Sequence, residues 1–235
     1  MKQDIYKFYV ELEDAPVHTW RTILISGNRT LSMFGYTLMT LFDMQASHLF
    51  SIETDPVLFG ADQHEVIAKH NFEVTNMFDE DFKDAAVLPA EEATISRSFF
   101  EPGATGTFVY DFGDNWRVHL SLEGIITDYN FSQKNYPQVL DGFGHGIVED
   151  VGGVSGLADM KVAFENYTDA RREYEQWLGV DEFDVTVFDA DAMNKFVKEV
   201  PAIFKRIYEL GKEPTPRMLA TLKQWQLANG WENQD

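Results

Sequence analysis

The sequence predicts an α+β fold: a mixed, antiparallel-rich β-sheet with packed helices, finished by a C-terminal helical extension. Three observations carry that prediction. Apolar residues alternate at the N-terminus and again around residues 106–123, the period of half-buried strands. An apolar stretch at helical spacing follows the first two strands. Beyond about residue 157 the periodicity is helical and punctuated by Pro and Gly.

From Ile5 to Glu13, Tyr6, Phe8, Val10 and Leu12 fall on one face. Asp14-Ala15-Pro16 is a turn signal, and Thr19 to Ser26 reads as a second strand closing a hairpin. In that strand Arg21, Ile23 and Ile25 share one side, opposite Trp20, Thr22 and Leu24. A helix follows from about Leu31 to Met44, with Thr30 as N-cap, and then a short strand from Ser47 to Thr54. Residues 55–90 read as a variable excursion, marked by Gly60 and an acidic stretch from Phe78 to Asp84.

A short helix is expected between Ala90 and Phe100, stopped by Pro102-Gly103. Gly106 to Asp111 and Trp116 to Glu123 are strands joined by a turn at Gly113-Asp114-Asn115. This ββαβ…ββ order suggests a β-grasp-like core. Tyr136-Pro137 opens a glycine-rich loop containing Gly142, Gly144, Gly146, Gly152, Gly153 and Gly156. Helices are expected near Leu157, near Ala170, from Ala190 to Val200 behind Asp189 or Asp191, and from Arg217 to Ala228 before Asn229-Gly230. Residues 1–200 then form the α+β domain and 201–235 a helical extension packed on it.

The chain carries 19 basic and 39 acidic residues, a net charge of −20. Such a body repels phosphate backbones, which speaks against nucleic-acid binding. The extension differs. Its five basic residues (Lys205, Arg206, Lys212, Arg217, Lys223) exceed its four acidic ones (Glu209, Glu213, Glu232, Asp235), so it is +1 and the remainder −21. Cysteine is absent, which excludes disulfides and thiolate chemistry. The N-terminus lacks a signal-like apolar run, and no window approaches the roughly 20 apolar residues of a membrane span. A cytoplasmic location with no membrane association is the expectation.

Three segments together resemble a known family. They are Tyr6-Lys7-Phe8-Tyr9-Val10-Glu11-Leu12-Glu13 with Trp20-Arg21; Tyr110-Asp111-Phe112-Gly113-Asp114-Asn115-Trp116 with His119 and Glu123; and Tyr136-Pro137 followed by Glu149-Asp150-Val151-Gly152-Gly153 with Gly156. The run Trp177-Leu178-Gly179, with Phe183-Asp184 and Phe188-Asp189, resembles the family's usual end. The family takes its name from an open reading frame of a root-inducing plasmid and often carries a transposon-passenger or "resolvase-like" label. The resemblance covers about residues 5–200 and implies an α+β fold with no established activity. Ile147-Val148 stands where many relatives have Pro-Pro. The resolvase label fits poorly, because serine recombination needs an arginine-rich phosphate pocket and a basic DNA-binding arm.

Tyr110, Gly113, Trp116, Gly152 and Gly153 are the structural landmarks of these motifs. The chemistry-bearing candidates are Asp111, Asp114, His119, Glu149, Asp150 and His48. Clustered carboxylates suit Mg2+ or Mn2+, with Asp111, Asp114, Glu149 and Asp150 as ligands and His119 close to Asp111 across the hairpin. Against that, Asp and Asn are what a Gly-containing turn needs in any case, and Glu149-Asp150 would cap the following helix or brace the loop. The glycine-rich loop lacks a Gly-Lys-Ser/Thr signature and sits beside carboxylates, so a nucleotide site is not expected. The preferred function is a noncatalytic accessory or binding domain, linked to mobile elements and without a cofactor. It would meet a protein partner, or a second copy, through its C-terminal helices. The alternatives are a metal-dependent hydrolase and an oligomeric regulator acting on nucleic acid.

Overall fold

The computed structural model describes residues 2–55, 58–59, 65–66, 70–73 and 87–229. Strands β1 (Gln3–Leu12) and β2 (Thr19–Ser26) form the expected hairpin, Ile5 opposite Ser26 and Leu12 opposite Thr19. Helix α1 (Leu31–Leu41) is capped by the Thr30 hydroxyl, which accepts from the Met33 N–H. Strand β3 (Phe50–Thr54) follows, then short strands β4 (Leu58–Phe59), β5 (Glu65–Val66), β6 (His70–Glu73) and β7 (Val87–Pro89). Gly60 and the Phe78-to-Asp84 stretch lie outside the described residues.

The expected helix near Ala90 shrinks to one turn, α2 (Ile95–Ser98). Strands β8 (Thr105–Tyr110) and β9 (Trp116–Asp128) form the second hairpin, Tyr110 opposite Trp116. Strand β10 (Gln138–Phe143) falls where a loop was expected. Helices α3 (Gly153–Asn166), α4 (Arg171–Leu178), α5 (Ala190–Phe196), α6 (Val200–Phe204) and α7 (Pro216–Ala228) follow among the described residues. Asp189 caps α5, accepting from the Asp191 and Ala192 N–H groups. Pro201 sits in the first turn of α6, so it restarts a helix rather than continuing α5.

The main sheet runs β10-β2-β1-β9-β8-β3-β6-β7. Pairing is antiparallel from β10 through β6, and β7 joins β6 in parallel. One face carries Phe8, Val10, Ile23, Phe108, Trp116, Val118 and Leu120, all buried. Helix α1 and α2's flank pack into it: the Phe8 ring lies 4.9 Å from Phe34 and 5.0 Å from Phe99, centroid to centroid. The other face is polar and solvated, with a Lys7–Glu123 ion pair at 2.8 Å and Tyr9 stacked on Trp20.

Two contacts fix the edge and the tail. The Asn194 side chain of α5 donates to the Val139 carbonyl and accepts from its N–H, both at 2.9 Å, occupying the backbone of edge strand β10. Trp225 of α7 is buried in the same hydrophobic cluster as Tyr36, its ring edge-on to Phe204 at 5.7 Å. No described helix is long and apolar enough to cross a membrane.

Candidate functional site

The Tyr110-to-Trp116 turn is built as its residue types require. Asp111 and Asn115 both take left-handed backbone, which these residues tolerate. The Asp111 carboxylate accepts from the Gly113 N–H at 2.9 Å, and the Asn115 N–H donates to the Asp111 carbonyl at 2.6 Å. Both flanking aromatics, Tyr110 and Trp116, point into the core.

Glu149 comes to meet this turn. Its buried carboxylate accepts from the Tyr110 hydroxyl and from the Gln45 N–H, each at 2.6 Å. The Ser47 N–H donates to the Tyr110 oxygen at 3.2 Å. His48 leans on the Tyr110 ring, and its Nε2 lies 3.7 Å from Asp111, 3.9 Å from Glu149 and 3.6 Å from Asp150. Four of the sequence candidates therefore converge: His48, Asp111, Glu149 and Asp150. Asp114 touches the same loop through its backbone, because a Cβ on Gly153 would stand 2.9 Å from the Asp114 carbonyl oxygen. Gly153 has φ +69°, so that position needs glycine on both counts.

His119 does not join them. The β-register sets it opposite Thr107 and Glu11, on the solvated face, while Asp111 closes the hairpin at its far end. An expectation of His119 close to Asp111 ignored the three-residue offset along β9. Among the described residues no group of three or more His, Asp or Glu is arranged to hold a metal ion. The reason is visible in the donor set. Glu149 Oε1 and Asp111 Oδ1 already accept N–H and O–H groups, and the point facing Asp111 Oδ2, Glu149 Oε2 and Asp150 Oδ1 is filled by the His48 imidazole. Glu149 braces the loop; helix α3 starts at Gly153, behind an N-cap Gly152 that has no side-chain cap.

Burial pushes the Glu149 carboxyl above the usual carboxylate range, opposed by the Tyr110 hydroxyl, the Gln45 N–H and His48. A raised native pKa means that the unfolded chain loses this proton first as pH rises. The group's contribution to stability is greatest below the unfolded pKa and falls as pH climbs to the native one. Glu149→Gln keeps an oxygen for both donors and removes the titration. Its stability relative to the parent chain should rise as pH increases from about 4 towards neutrality, measured by urea unfolding. A flat or falling difference would mean that the carboxyl is held ionised throughout.

A second constellation lies behind the glycine-rich segment. Asp43 ends α1 in left-handed backbone (φ +61°), and the Met44 N–H returns to the Met39 carbonyl at 2.9 Å, the closing bond of a Schellman ending. That turn points the Asp43 carboxylate inward, where Oδ2 accepts from the Gly146 N–H at 3.0 Å and lies 3.8 Å from His145 Nδ1. Gly146 is obligatory because a Cβ would meet the Phe42 carbonyl at about 2.2 Å. Arg21, fully buried, donates to the carbonyls of Leu41, Trp20, Phe143 and Gly144 at 3.2, 2.8, 2.7 and 2.8 Å. Burial lowers its pKa to about 9, which leaves it charged at neutral pH, and Asp43 opposes that shift.

Beside Asp43 opens a cleft of about 310 Å³. Phe183, Phe188 and Phe196 form its apolar wall, His145 and Glu182 contribute polar groups, and Asn229 at the end of α7 completes it. Asp43 Oδ1 and His145 Nδ1 are buried without a hydrogen-bond partner among the described residues. The Asp43 carboxyl is driven upward by burial, against His145, Arg21 and the Gly146 N–H. Neither Asp43 nor His145 carries a motif, and they stand 102 positions apart. The sequence marked only the surroundings of this site: the glycine-rich segment on either side of His145, the Phe183-Asp184 and Phe188-Asp189 pairs that line the cleft, and Arg21 on a strand face with Ile23 and Ile25.

Residues 4–192 match the plasmid pRiA4b ORF-3-like protein family, and the chain belongs to that family. The last helices, α6 and α7, lie beyond the matched span. Among solved structures, the chain is similar to a crystal structure of a protein of unknown function, MM3350, from Methanosarcina mazei Go1. The similarity is 22% in sequence with a TM-score of 0.65, covering 81% of this chain and 97% of the other, and it shows a shared fold. No curated protein matches.

Proposed function

We propose that this chain is a noncatalytic accessory domain that binds a small ligand or partner side chain in the Asp43–His145 cleft. The observation that carries this reading is the buried Asp43–His145 pair in the lining of an aromatic-walled cleft, with Asp43 Oδ1 and His145 Nδ1 making no hydrogen bond among the described residues. Apolar walls with a few fixed polar groups are the usual form of a small-molecule site. The Tyr110–Glu149 cluster supports binding rather than hydrolysis, because its hydrogen bonds serve the turn and loop. A link to mobile elements is supported by the family's plasmid name.

Ala192 lines the cleft, so Ala192→Trp should fill it while leaving the core untouched. In a thermal-shift screen of small metabolites, cleft ligands should raise the melting temperature of the parent chain and lose that effect in Ala192→Trp. Ligands that stabilise both equally would place binding elsewhere.

A second reading rests on α7. Leu219 and Leu227 stay about half exposed there while Trp225 faces the core. Association of two copies through this face would appear as a dimer in light scattering that Leu219→Glu dissolves.

A further inference from the structure

The cleft is selective in its chemistry. Its lining contains four carboxylates (Asp43, Glu182, Asp184 and Asp189), one imidazole and neither lysine nor arginine. Acidic groups alone would be a solvated patch. Here one of them, Asp43, is almost completely buried and has an oxygen with no partner among the described residues. Water-excluded carboxylate oxygens are costly to leave unpaired, so a hydrogen-bond donor brought to this wall would be favoured.

Three phenylalanines supply the rest of the wall. Phe188 already holds a cation: the Arg21 guanidinium lies 3.7 Å from its ring centroid. Arg21 is committed to four carbonyls and forms no ion pair with Asp43 within 4 Å. It moderates the negative potential without neutralising Asp43 directly. Aromatic faces beside a carboxylate are the arrangement that recognises organic ammonium ions. The net charge of −20 adds long-range attraction for a cationic ligand.

We infer that the cleft binds an organic cation, its ammonium group meeting Asp43 and its hydrocarbon lying against Phe183, Phe188 and Phe196. This inference rests on the cleft being the binding site. The extension takes part, because Asn229 contributes to the lining and its carbonyl holds His145 Nε2 at 3.2 Å. An anionic ligand would be repelled by Asp43 and the three further carboxylates of the lining, and a neutral one could offer Asp43 a hydrogen bond but no compensating charge.

The test is an amide chemical-shift titration of the full chain with four probes: benzylamine, benzyl alcohol, benzoate and acetyl-Gly-Lys-Gly-amide. Benzylamine, the tripeptide or both should shift the Gly144, His145 and Phe183 amides, with an affinity about tenfold or more above that of benzyl alcohol. Benzoate should not bind. Asp43→Asn should remove about tenfold of the cation affinity and leave benzyl alcohol unchanged. Should that variant not fold, Glu182→Gln at the exposed rim should weaken cation binding about two- to threefold and reduce its salt dependence. Benzylamine binding points to a free amine, and tripeptide binding alone to a basic side chain of a partner. Benzyl alcohol or benzoate binding as tightly as benzylamine would overturn the cation inference and keep the cleft as the site. Saturating probes that leave every cleft amide unmoved would remove both.

Discussion

Arg21→Ala is expected to lower the unfolding free energy by about 3–5 kcal/mol, the usual cost of breaking a buried charged network from one side. The guanidinium joins the end of α1 at Leu41, its own strand at Trp20, and β10's end at Phe143 and Gly144. Removing it leaves buried carbonyls unpaired and withdraws the positive charge that favours Asp43's ionised form. Arg21→Lys should recover little, because one ammonium cannot serve four carbonyls spread across a planar fork. Total stability of a domain is about 5–15 kcal/mol, so Arg21→Ala should leave a marginal fold. A loss under about 1 kcal/mol in urea unfolding would show that the loop is tied down by other contacts.

Trp225→Ala should cost a similar amount, about 3–5 kcal/mol, as a large buried aromatic replaced by a cavity. The ring packs on Phe204, whose own ring lies 6.4 Å from Tyr36 of α1. Gln226 donates a hydrogen bond to the Gln45 side chain at 3.2 Å, on the same residue whose N–H the Glu149 brace holds. The variant should unfold in one transition at lower denaturant and lose protection of α7 amides in hydrogen exchange. If α7 alone loses protection while the midpoint holds, the last helix is an independent attachment.

Much of this fold was legible because local patterns and tertiary burial agree. The alternation of Tyr6, Phe8, Val10 and Leu12 became the buried face of β1, and Thr30 and Asp189 cap the helices they precede. Strand β10 was not legible. It is an edge strand in which only Val139 is buried, and Asp141 and Gly142 erase the alternation that marks a strand. The pairing partner that makes it a strand, β2, lies more than a hundred residues earlier. The single-turn α2 was overextended because Thr94-Ile95-Ser96-Arg97 carries no signal for how early Phe99 turns extended.

The site divides in the same way. Gly113-Asp114-Asn115 reads as a turn and lies in one, joined by Asp111 from the expected end of the strand, and Glu149 reads as a loop brace or cap and braces the loop. Its partners, Tyr110 and the Gln45 N–H, come from two other segments, which no local pattern records. His119 was misplaced because a hairpin brings together paired positions, and its pair is Thr107. The Asp43–His145 cleft was legible only in pieces, as the glycine-rich segment and the Phe183-Asp184 and Phe188-Asp189 pairs, and nothing local joined them to Asp43. It depends on a left-handed residue ending α1, a glycine whose Cβ would strike Phe42, and rings from the chain between Phe183 and Phe196.

On the reading proposed above, binding happens in the Asp43 cleft and the His48–Glu149 cluster is a structural brace. One diffraction experiment addresses both halves: a crystal of the full chain soaked in benzylamine and millimolar MnCl2, with data collected for manganese anomalous scattering. Amine density against Asp43 and no anomalous peak beside Glu149 are the expected result. A manganese peak ligated by Asp111, Glu149 and Asp150, with the cleft empty of amine, would contradict it.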